Sequence, residues 1–142
     1  MKSAAIALLL GLLLALPLPH SARAEIVISD ARIKHLPPSV PVRAGYLVLR
    51  NDGAETSTLR SVRSDAFASV EIHRSVMHDG MMQMEAVERL EIPPGGSVEL
   101  APGGYHLMLM QPVEPTQPGE TIEIILQFDD GTERTVDMTV VK

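Results

Sequence analysis

Between Ile26 and Val141 no stretch of this chain repeats its apolar residues at the 3.6-residue spacing of a helix. Short β-branched and apolar runs are instead cut off every few residues by glycine, proline, asparagine and aspartate. Asn51-Asp52-Gly53, Asp79-Gly80, Pro93-Pro94-Gly95-Gly96, Pro102-Gly103-Gly104 and Asp129-Asp130-Gly131 all read as turns. Runs such as Ile26 to Ile33, Val70 to Val76, Tyr105 to Met110 and Thr121 to Phe128 lie between these signals, and about nine strands are expected in all. Strands in that number with no helices must cover one another, so the expected fold is one all-β sandwich domain. Only Tyr46, Phe67, Tyr105 and Phe128 are aromatic, which leaves valine, isoleucine and leucine to fill the core.

The first residues follow other rules. Lys2 is a positive start, Ala4 to Leu18 is apolar apart from Gly11 and Pro17, and Ala22-Arg23-Ala24 places small residues where a signal peptidase reads them. Residues 1–24 are therefore expected to be a removed signal peptide, with residues 25–142 as the domain. The apolar run is short of the roughly 20 residues that a membrane span needs. Export without a cysteine to carry lipid points to the periplasm of a Gram-negative bacterium; the alternative is an uncleaved N-terminal anchor. The formal charge is −6, and loss of Lys2 and Arg23 with the leader makes it −8. Nucleic-acid binding is not expected of so acidic a domain, because phosphate contacts need clustered lysine and arginine. The chain has no cysteine, which excludes disulfides and every thiolate metal site.

Methionine is the unusual residue. Six of the eight lie between Met77 and Met110, in the same window as His73, His78 and His106. Thioether sulfur is a soft donor that favours Cu(I), and imidazole also binds copper, whereas magnesium, calcium and manganese prefer oxygen. If Asp79-Gly80 is a two-residue hairpin turn, His78 faces Met81, Met77 faces Met82, Ser75 faces Met84 and His73 faces Ala86. His73 and Met84 then share a sheet face as diagonal neighbours, roughly 7–8 Å apart at the backbone. In the second strand His106, Met108 and Met110 alternate with Tyr105, Leu107 and Leu109. The larger apolar set belongs to the core, so His106 and Met108 point outward or toward an edge. Taken singly, a strand methionine is more often core filler and a histidine more often a surface residue. The matching parity of His73, Met84, His106 and Met108 favours one four-coordinate copper site. Met77, Met81, Met82 and Met110 are expected at its rim or in packing, His78 in solvent, and His35 has no evident partner.

The spacing His73, ten residues, Met84, twenty-one residues, His106, one residue, Met108 resembles the H-x10-M-x21-H-x-M pattern of the periplasmic copper chaperone family PCuAC. Val70-Glu71-Ile72-His73, Asp79-Gly80-Met81-Met82-Gln83-Met84 and Pro102 to Met110 fit the same family, over essentially the whole of residues 25–142. The resemblance implies a cupredoxin-like Greek-key β-sandwich that binds one Cu(I) through the two histidines and two methionines. It implies a chaperone rather than an enzyme, supplying copper to the CuA-bearing subunit of cytochrome c oxidase beside a Sco-type thioredoxin-fold protein, and acting as a monomer. The chain departs from some relatives in ending at Val141-Lys142 without a His- and Met-rich extension, and from many in placing Arg74 where an acidic residue is expected after the first histidine. The alternatives are a periplasmic copper buffer or uptake protein with no dedicated recipient, an interaction domain whose methionines form a partner surface, and a copper enzyme such as an oxidase.

Overall fold

The computed structural model describes residues 24–142, so residues 1–23 of the expected leader lie outside the described residues. Ten strands follow in order: β1 (Ile26–Lys34), β2 (Val42–Asn51), β3 (Ser57–Arg63), β4 (Phe67–His78), β5 (Met81–Ala86), β6 (Leu90–Ile92), β7 (Ser97–Leu100), β8 (Tyr105–Pro112), β9 (Thr121–Phe128) and β10 (Glu133–Val141). The described residues contain no helix, and none is long and apolar enough to cross a membrane. The all-β, cupredoxin-like sandwich expected from the sequence is the observed class.

Neighbouring strands run in the order β4, β8, β2, β1, β10, β9, β3, and a further pairing of β3 with β4 closes the circuit into a flattened barrel. Most pairs are antiparallel, but β1 runs parallel to β10, which ties the first strand to the last. Alternation drives each strand onto this frame. In β9, Ile122, Ile124, Leu126 and Phe128 are buried while the residues between them face outward, and Leu107 and Leu109 of β8 do the same. Leucine, isoleucine and valine supply most of the core, joined by Phe67, Phe128 and Met138. Gly45 on β2 stands opposite Leu107 of β8, and a Cβ there would approach the Leu107 Cβ to 3.1 Å. That bare backbone lets β8 lie close against β2.

Two features position the site. First, β4 is longer than its partner: Phe67–Arg74 pairs with β8, and His73–His78 pairs with β5, so the outer half of β4 leaves the barrel as a hairpin arm. Second, the hairpin register is the expected one, with His73 opposite Ala86, Ser75 opposite Met84, Met77 opposite Met82 and His78 opposite Met81. Asp79 and Gly80 have φ of 48° and 78°. Two successive left-handed residues make the tight type I′ turn whose twist matches the strands, and this fixes the register.

Candidate metal centre

On the outer face of the barrel, β5, β4 and β8 lie side by side. His73 of β4 is paired directly with His106 of β8, and Glu71 with Met108. Directly opposed residues share a face, so Glu71, His73, His106 and Met108 all project from the same surface. Ser75 and Met84 continue that surface onto the hairpin. His73 therefore has Met84 as its diagonal neighbour on one side and Met108 on the other. Alternation sends Ile72, Leu107 and Leu109 inward and leaves the donor atoms on the outer face.

Ser75, Met84, His106 and Met108 line a cleft of about 250 Å³ together with Ala44 and Tyr46 of β2. Leu36 from the β1–β2 connection and Pro102-Gly103 from the β7–β8 turn complete its walls. His106 and Met108 were expected to point outward or to an edge. They do face outward, but His106 is buried, because β8 runs between β4 and β2 and the two connections rise beside it. Met108 is half-buried and Met84 is exposed on the arm.

The histidines show the most telling chemistry. His73 Nε2 lies 2.7 Å from a Glu71 carboxylate oxygen, and His106 Nδ1 lies 3.1 Å from the Gly104 carbonyl oxygen. Both partners are acceptors, so each ring donates through that nitrogen, and in the neutral imidazole the other nitrogen carries the lone pair. Those other nitrogens, His73 Nδ1 and His106 Nε2, are buried and have no hydrogen-bond partner. A buried polar atom left unpaired costs on the order of 1–3 kcal/mol, and two at one spot call for an occupant. One nitrogen tied by a hydrogen bond and one free is the usual arrangement of a metal-binding imidazole. The ring centres are 5.9 Å apart and tilted by 53°. Metal–nitrogen bonds of about 2 Å would hold two rings on one ion with centres roughly 5–6 Å apart. Among the described residues no group of three or more histidine, cysteine, aspartate or glutamate side chains could hold a metal. The strand register sets the thioethers of Met84 and Met108 on the same face, diagonal to His73, and thioether sulfur beside imidazole makes a soft donor set.

Glu71 was missed by the sequence reading. Its signal is parity: two residues before His73 in a strand, it shares the histidine's face and can reach its ring. On the opposite face Arg74 pairs with Glu85 at 2.9 Å, and the hydrogen bond to that carboxylate holds the guanidinium above its ordinary pKa. Both groups are solvated, so the pair fixes where Arg74 lies more than it stabilises the fold. His78 is exposed at the hairpin tip, as expected. His35 Nδ1 is buried without a partner, and the His35 backbone N–H donates to Val141.

The model of the family described as "Putative lipoprotein LpqE-like" matches residues 26–140, nearly all of the described chain. The chain belongs to the LpqE-like family. Its curated relatives include "Putative lipoprotein Lxx21020" of Leifsonia xyli, 33% identical over 94% of this chain and 84% of the relative. A second, "Uncharacterized protein RP573" of Rickettsia prowazekii, is 30% identical over 68% of this chain, which spans about half (54%) of that protein. The LpqE-like fold is also that of PCuAC domains. The solution structure of CuI-DR1885 from Deinococcus radiodurans is 31% identical, covers 87% of this chain and 82% of its own, and superposes with a TM-score of 0.68. The copper-bound PCuAC domain from PmoF2 covers 82% of this chain and 92% of its own with a TM-score of 0.69 at 24% identity, a likeness of fold.

Proposed function

We propose that this LpqE-like protein is an exported copper carrier that binds one Cu(I) through His73 Nδ1, His106 Nε2 and the Sδ atoms of Met84 and Met108. The single observation that carries the reading is the pair of buried, unpartnered imidazole nitrogens on adjacent strands beside those two thioethers. Support also comes from the solved relative with which the chain shares 31% identity, which is a Cu(I) protein. Two neutral nitrogens and two neutral sulfurs suit a monovalent soft ion and add no charge to it. Cu(II) prefers tetragonal nitrogen and oxygen donors, whereas half of the proposed donor set is thioether sulfur.

The site is built for ligand exchange. His106 and Met108 belong to the barrel, whereas Met84 stands exposed on the arm, so Met84 is the ligand that an incoming donor displaces first. A recipient with cysteine thiolates binds Cu(I) more strongly than thioethers do, which makes transfer downhill. The recipient in this reading is the CuA-bearing subunit of cytochrome c oxidase, with a Sco-type thioredoxin-fold partner, and the compartment is the periplasm. The family and its Leifsonia xyli member are described as lipoproteins, whereas none of the 142 residues here is a cysteine that could be acylated.

The test is a Cu(I) competition titration against a chromophoric chelator. The parent protein takes one tightly held equivalent, and a Met84→Leu/Met108→Leu variant, which keeps the bulk and loses both sulfurs, does not. Equal retention by the variant would overturn the ligand set. The outer shell gives a second expected result. Glu71→Ala frees the His73 ring and lowers Cu(I) affinity by roughly 10–100-fold, the range seen when such partners are removed. Because Glu71 is exposed, the melting temperature of the metal-free protein hardly changes. An unchanged affinity would show that Glu71 does not orient the ligand.

A further inference from the structure

Large apolar side chains that remain exposed are few among the described residues: Val113 and four methionines, Met77, Met81, Met82 and Met84. All four methionines belong to the β4–β5 hairpin arm, and each is more than half exposed. Packing does not explain them, since a β-strand that needed only bulk there would do better with β-branched residues. What methionine adds to bulk is a soft, polarizable sulfur.

The register sorts these sulfurs. Met77 and Met82 are directly opposed, so they share a face with Cβ atoms about 4.5–5.5 Å apart. Met84 is one pair further inward on that face, opposite the small Ser75, and the next pair is His73 with Ala86. Met81 lies with His78 on the other face, which also carries the Arg74–Glu85 ion pair. Three thioethers therefore run along the hairpin from its tip to the edge of the cleft, with no charged side chain among them. The I′ turn at Asp79-Gly80 keeps Met77 and Met82 opposed, so the pair is arranged before any ion arrives.

We propose that Met77, Met82 and Met84 form a second, outer site for a monovalent soft metal ion, a three-thioether landing position that shares Met84 with the inner site. This inference rests on the copper reading above and extends it to the route of the ion. Sulfur-only, neutral coordination selects Cu(I) or Ag(I) over Cu(II) and Zn(II). The outer site is the weaker of the two, because it is exposed and lacks imidazole. Since Met84 belongs to both sets, the ion moves inward by exchanging Met77 and Met82 for His73, His106 and Met108 while Met84 stays bound. No oxidation or proton transfer is required, because every ligand is neutral before and after.

The test is a titration of the protein, labelled with 13C at the methionine methyl groups, with Ag(I), a monovalent soft ion that does not change oxidation state under these conditions. The first equivalent is expected to shift the methyls of Met84 and Met108; with Met84 engaged there, a second and weaker equivalent is held by the remaining pair and shifts the methyls of Met77 and Met82. A Met77→Leu/Met82→Leu variant keeps the first equivalent, loses the second, and loads more slowly from a Cu(I)–chelator donor. A His73→Ala/His106→Ala variant keeps an Ag(I)-dependent shift at Met77, Met82 and Met84. Saturation at one equivalent with Met77 and Met82 unmoved would overturn the outer site while leaving the inner one standing. Failure of the inner site would show differently, as a first equivalent that leaves Met108 unmoved. A second equivalent that survives in the Met77→Leu/Met82→Leu variant would also overturn the proposal, placing that ion elsewhere, and unchanged loading kinetics would remove its role as an entry point.

Discussion

His106→Leu is expected to abolish tight Cu(I) binding at the inner site and yet leave the metal-free protein as stable as its parent, or slightly more so. The parent buries the Nε2 lone pair with no partner, at a cost of about 1–3 kcal/mol, and leucine removes that atom. What the variant loses is the hydrogen bond from Nδ1 to the Gly104 carbonyl, worth about 1 kcal/mol net. That carbonyl is not orphaned, because it still accepts the Ser75 N–H at 3.1 Å. The two terms nearly cancel without metal. With metal they do not. At free Cu(I) one thousand times the dissociation constant, binding stabilises the folded parent by about 4 kcal/mol. For a domain of this size that raises the melting temperature by roughly 15 °C. The variant, left with the weaker outer site alone, should lose most of that rise. Circular-dichroism melts in chelator-buffered Cu(I) measure both quantities at once. A variant whose melting temperature rises with copper as far as the parent's would remove His106 from the ligand set. A metal-free variant that melts far below the parent would mean that the histidine is structural rather than held ready for an ion.

The contrast between ligand and scaffold explains what the sequence makes legible. The hairpin could be read to the exact pair because Asp79-Gly80 leaves only one tight turn, and a period of two then assigns every side chain to a face. The same argument places Leu107 inward and His106 outward on β8. Parity within a strand says nothing, however, about which strands become neighbours. That β4 lies against β8, with His73 opposite His106, is a non-local pairing set by closure of the barrel. Only the family's spacing motif pointed to it. Burial of His106 was likewise hidden, because it depends on Leu36 and Pro102-Gly103, which come from connections far apart in sequence. The ten strands, the shortest of them Leu90–Ile92, come close to the nine or so that the turn signals suggest.

Asn51 marks the other limit, and it carries the second large effect. The run Asn51-Asp52-Gly53 reads as a turn, which suggests an exposed asparagine. Asn51 is instead the last residue of β2 and is fully buried. Its Nδ2 donates to the carbonyls of Glu55 at 2.6 Å and Ile92 at 3.0 Å, and its Oδ1 accepts the Gly53 N–H at 2.9 Å. Its backbone bonds both Gly95 and Gly96. One residue thus ties the end of β2 to β6 and to two connections, its side chain reaching β6 and the β2–β3 connection and its backbone the β6–β7 connection. Asn51→Asp alters a single heavy atom and leaves no cavity, but sets a carboxylate against two carbonyl oxygens. An uncompensated buried charge costs about 3–5 kcal/mol, a fall of roughly 12–20 °C in melting temperature near neutral pH. The sign of the pH dependence follows. The folded state favours the neutral acid, so the pKa of the introduced carboxyl rises above its unfolded value, and folding takes up a proton. The loss is therefore smallest in acid and grows as pH rises through the interval between the two values, by about 1.4 kcal/mol per unit. Recovery is incomplete even in acid, because a protonated carboxyl can donate to only one of the two carbonyls. Copper affinity should not change at a temperature where the variant is folded. Ala44, where β2 lines the cleft, is seven residues away, roughly 23 Å along an extended strand. Urea titrations at pH 4 and pH 7 on parent and variant measure the difference. A variant as stable as its parent at both values would show that the buried asparagine is a passenger rather than the tie that holds this end of the barrel.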